Sequence, residues 1–84
     1  MSTPIRYRTP AGPVVHGLLV RETKSKLYLI LIEDRIHMRK VPLEEEGHIT
    51  RLEKHREKKV KRQIRQFAKT RRMKLSAEVK EALR

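Results

Sequence analysis

Eight cationic side chains recur at helical spacing in the second half of this chain: Arg51, Lys54, Lys58, Lys61, Arg62, Arg65, Lys69 and Arg72. Placed at about 100° per residue, they fall within an arc of roughly 100°. Thr50 followed by Glu53 has the spacing of a capping box, which predicts a helix from Arg51 to Lys74. From Arg51 to Arg72 it would be about 33 Å long. Like charges three and four positions apart repel by a few tenths of a kcal/mol per pair. A face that accepts many such pairs without an interleaved acid would be relieved by an external polyanion. Glu53 and Glu57 are expected to point toward the apolar side and to leave the arc unneutralised. The arc is therefore the candidate nucleic-acid-binding face.

Other chemistry is sparse. His16, His37, His48 and His55 stand in no HxH or HxxxH arrangement, so no metal site is expected. The hydroxyl residues carry no GxSxG signature, and Gly12, Gly17 and Gly47 make no phosphate-cradling loop. Glu44, Glu45 and Glu46 are consecutive, so their side chains diverge. They read as a solvated loop that repels nucleic acid or folds back onto the basic arc. Neither a cofactor nor a catalytic residue is predicted, and a non-enzymatic binding protein is the economical reading.

The elements that must position the arc follow from pattern. Ile5 and Tyr7 lie in a short extended lead, Val14 to Val20 forms a β-branched segment around Gly17, and Leu27 to Ile32 is a continuous apolar strand covered on both faces. Residues 35–39 alternate, with Ile36 and Met38 on one face, and Pro42 closes that strand. The expected architecture is α+β: an antiparallel sheet or SH3-like barrel of three or four strands, then the long basic helix and a short final helix. Gly17 fits a bulge or an edge position. The division falls into a β domain over residues 1–48 and a basic helical extension over 49–84.

On the long helix, Val60, Ile64, Phe67 and Ala68 follow the spacing of a buried stripe. It is expected to pack on the protein's own sheet; the alternative is a homodimer contact through Val60, Ile64 and Phe67. Ser76, with Glu78 in the first turn, predicts a second helix over Ala77 to Leu83. The string Met73 to Leu83 resembles the strand-to-first-helix segment of ribbon-helix-helix repressors, and that resemblance extends no further along the chain.

Charge is unevenly placed. The 84 residues carry 22 Lys and Arg against 10 Asp and Glu, net +12, yet residues 1–50 are net +2 and residues 51–84 net +10. A partner should meet the C-terminal half. There is no cysteine to crosslink so small a fold. The longest apolar run has six residues, Leu27 to Ile32, far short of a membrane span, and a cytoplasmic location is expected. Only Tyr7, Tyr28 and Phe67 are aromatic, which favours phosphate contacts over base stacking, and duplex DNA over RNA. Gln63 and Gln66 are the only helix amides able to read a base edge. The alternatives are an accessory or inhibitor protein that lays the basic helix on an acidic protein surface, or on the nucleic-acid-binding surface of a larger protein, and a ribosome-associated protein.

Overall fold

The computed structural model describes residues 2–84. Five strands, β1 (Thr3–Arg8), β2 (Val14–Glu22), β3 (Lys26–Ile32), β4 (Ile36–Pro42) and β5 (Ile49–Arg51), form one antiparallel sheet in the order β4-β3-β2-β1-β5. The first four are successive hairpins. Thr9 to Pro13 closes the first turn, with Gly12 at φ 109°, a value that glycine adopts without cost. The Thr23 hydroxyl accepts the Lys26 N–H at 3.0 Å in the second, and a tight Glu33–Arg35 link makes the third.

The sheet is apolar on both faces. Ile5, Tyr7, Leu19, Leu27, Leu29, Leu31 and Val41 pack together on one. All seven come from strands, so the sheet covers this face by curling over itself. On the other face, Leu18 and Ile30 lie under Val60, Ile64, Val79 and Leu83 of the helical half. This double coverage is what the continuous run in β3 requires. The sheet nevertheless stays open, because its edge strands β4 and β5 do not pair with each other.

Gly17 is neither at an edge nor at a bulge. It sits in β2 between Ile5 and Leu31, and a Cβ there would lie 2.0 Å from the Ile30 carbonyl oxygen. Close backbone approach is therefore what demands glycine, and the register shift falls between Leu19 and Arg21 instead.

The expected helix start gives way to tertiary pairing. Thr50 lies opposite Arg6 in the fifth strand, and the Leu52 N–H donates to the Pro4 carbonyl at 2.8 Å. The capping box is thus consumed by a ladder. A 3-10 turn, Lys54–Arg56, leads into α1 (Glu57–Thr70). A second 3-10 segment, Leu43–His48, holds the acidic triplet.

The helix also ends early. Arg72 adopts φ 52°, its N–H donates to Lys69 O at 3.2 Å, and the Met73 N–H donates to Ala68 O at 2.8 Å. These bonds form a Schellman cap with arginine in the left-handed position usually held by glycine. Residues 73–76 form no strand; they lead to α2 (Ala77–Ala82), where the Ser76 hydroxyl accepts the Val79 N–H at 3.3 Å, as its N-cap position predicts.

Candidate nucleic-acid interface

Val60, Ile64 and Ala68, four residues apart, are buried and fix how α1 sits on the sheet. Burying two such aliphatic side chains contributes about 1.5–3 kcal/mol each. It also leaves Val60 and Ile64 with no surface to offer a second copy of the chain. Phe67, one position off this row, is only half-buried and belongs to neither core cluster.

Around this row the eight arc residues have different fates. Arg51 is on β5 and pairs with Glu22. Lys54, in the 3-10 turn, donates to Glu57 Oε2 at 2.9 Å and to the Ser2 carbonyl. Lys61 lies 3.6 Å from the other Glu57 oxygen and donates to the Arg84 main-chain oxygen at 3.1 Å. Arg65 donates to the Leu83 carbonyl. The Leu83 carbonyl is at the C-cap of α2, where unpaired C=O groups concentrate partial negative charge, and Arg84 follows it directly. Arg72 is the cap residue described above; its exposed side chain has no partner among the described residues either, but it lies beyond the last residue of α1.

Glu57 thus faces the basic side rather than away from it. The Lys54 hydrogen bond, helped by Ser2 and by the Lys61 charge, outweighs the opposing effect of burial and holds its carboxyl below the usual carboxylate range.

Lys58, Arg62 and Lys69 remain. They project together from the outer face of α1, and among the described residues none has a hydrogen-bond or ion-pair partner. Glu44, Glu45 and Glu46 are exposed and make no ion pair with the arc among the described residues. They do not fold back on it.

The opposite flank of α1 carries features that the arc omits. A groove of about 640 Å³ is lined by Arg62, Gln63, Gln66, Phe67, Thr70 and Arg71. The Arg71 guanidinium lies 4.5 Å from the Phe67 ring centroid and reaches the Asp34 carbonyl at 3.4 Å. Beside it, sharing Gln63, a hollow of about 340 Å³ is lined in part by His16, His55, Arg56 and Lys59. No carboxylate lines either one. The sequence signal for this flank is the Phe67/Arg71 pair at i, i+4, which the helical spacing of Phe67 with Val60 and Ile64 conceals.

The histidines remain dispersed: His37 Nε2 lies 3.2 Å from Glu33, and His55 Nδ1 lies 3.2 Å from Glu53. Among the described residues no three His, Asp or Glu side chains gather to hold a metal ion, and no helix is long and apolar enough to cross a membrane. No protein-family model, curated protein or solved structure matches the chain.

Proposed function

We propose that this is a non-enzymatic, cytoplasmic nucleic-acid-binding protein that contacts the phosphate backbone of duplex DNA through the outer face of α1. The observation that carries this reading is the unpartnered row Lys58, Arg62 and Lys69 on a half-chain of net charge +10. From Lys58 to Lys69 the row spans about 16 Å of a straight helix, a length over which a duplex presents several phosphates. Contacts of this kind confer affinity and position rather than sequence readout. The sheet, by burying Val60 and Ile64, acts as the platform that orients the row.

The test is a titration of random-sequence duplex across a range of salt concentrations. Three phosphate contacts at roughly 0.9 each give a slope of log K against log salt of about −3, steeper where Arg56 or Lys59 also engage. A slope near zero, or no binding at low salt, overturns the reading. A pull-down from lysate with and without nuclease then separates a nucleic-acid partner from an acidic protein surface or a ribosomal one.

A further inference from the structure

We propose that the groove over Phe67 and Arg71 takes an unpaired nucleobase, so that the preferred ligand is nucleic acid with unstacked nucleotides beside a duplex rather than a blunt duplex. This rests on the nucleic-acid reading above and names the ligand class within it.

Phe67 is only partly buried and belongs to neither core cluster, so part of its ring stays open beside the row that holds α1. Arg71 holds its guanidinium 4.5 Å from the ring centroid and is anchored at its far end by the Asp34 carbonyl. The guanidinium covers one side of the ring, so the preset stacking surface is the outer plane of the cation with the uncovered part of the ring, and stacking on such surfaces is tolerant of base identity. Gln63 and Gln66 border the same groove, and their amides can both donate to and accept from a base edge.

Charge complementarity selects the occupant. The groove and the adjoining hollow are lined by Arg62, Arg71, Arg56 and Lys59 with no carboxylate. An apolar peptide segment would leave those cations unpaired, whereas a strand supplies both a flat apolar base and phosphates. Arg62 lines the groove and also belongs to the outer row. A strand crossing α1 at Arg62 can therefore keep its phosphates on the row while turning one base toward Phe67. Along the helix, Phe67 and Lys59 are about 12 Å apart, which leaves room for the next phosphates of the same strand over the hollow.

The experiment compares a blunt duplex with the same duplex carrying a short single-stranded overhang that contains 2-aminopurine, by anisotropy and by 2-aminopurine fluorescence. Parent protein should bind the overhang duplex about tenfold tighter and quench the fluorophore. Phe67→Leu should keep blunt-duplex affinity and lose both the preference and the quenching. Arg71→Met, at an exposed side chain, should lose the same two signals and serves as the second variant where Phe67→Leu lowers the melting temperature. Equal affinity for the two duplexes, an unquenched fluorophore, or variants that retain the preference would overturn the base site. Where blunt duplex still binds with the expected salt slope, the base site alone falls; where no nucleic acid binds, both readings fall together.

Discussion

The two sides of the basic arc on α1 are built from the same residue types and do different work. On the side facing α2, Lys61 and Arg65 donate to the main-chain oxygens of Arg84 and Leu83, and Glu57 neutralises Lys54 and Lys61. On the outer side Lys58, Arg62 and Lys69 meet no protein acceptor among the described residues. A helical charge pattern therefore specifies a direction in space but not an availability. What decides availability is whether another element, here α2, arrives at that side with unsatisfied carbonyls.

Both sides depend on one buried row, so the largest effect comes from removing it. Ile64→Ala should cost about 2–5 kcal/mol, a large share of the stability of an 84-residue domain. Thermal or urea melting should show the loss, with binding by the outer row failing along with the contacts of Lys61 and Arg65. A mild effect would mean that α1 is not held as described.

The comparison itself is tested by paired substitutions. Replacing Lys58, Arg62 and Lys69 with Gln should weaken duplex binding by about tenfold or more and flatten the salt slope. Melting should be unchanged, since Gln is a good helix former at exposed positions. Replacing Lys61 and Arg65 with Gln should do the reverse, lowering stability by about 1–2 kcal/mol while binding stays close to the parent. Binding losses in proportion to the charges removed, three against two, would show that net charge, not the outer row, governs affinity.

Smaller effects sharpen the ends of the helix. Arg72→Gly should stabilise the fold by about 1 kcal/mol, because the left-handed conformation at φ 52° penalises any residue with a Cβ. A lowered melting temperature would mean that the Arg72 side chain supports the cap in some other way.

At the other end, the depressed carboxyl of Glu57 contributes stability that is present above the ordinary carboxylate range and is lost as pH falls through its lower folded value. Glu57→Gln should therefore be less stable than the parent near neutral pH, and the two should converge as the pH falls below the ordinary carboxylate range. A constant difference across that range would place the contribution of Glu57 in packing rather than charge.

Much of the molecule was legible in its residues. Four of the five strands, the burial of β3 on both faces and the Ser76 cap follow from local pattern, because alternation, proline and hydroxyl capping act within a few residues. The spacing of Val60, Ile64 and Ala68 was enough to find the buried row.

Tertiary structure decided the rest. Thr50 and Glu53 carry a sound helix-start signal, yet β1 offered Thr50 a ladder partner 44 positions away in Arg6, and no local pattern reports such a partner. Arg72 looked like a helical position until the Schellman bonds turned the chain there. Phe67 was placed in the core because a stripe three or four residues wide does not say where the sheet surface ends. Periodicity is a property of one helix, whereas pairing, capping by a distant carbonyl and half-burial depend on what stands opposite. The eight cations are written in the sequence, and which of them stay unpartnered on the outer face of α1 was settled only when β5 and α2 took their places beside it.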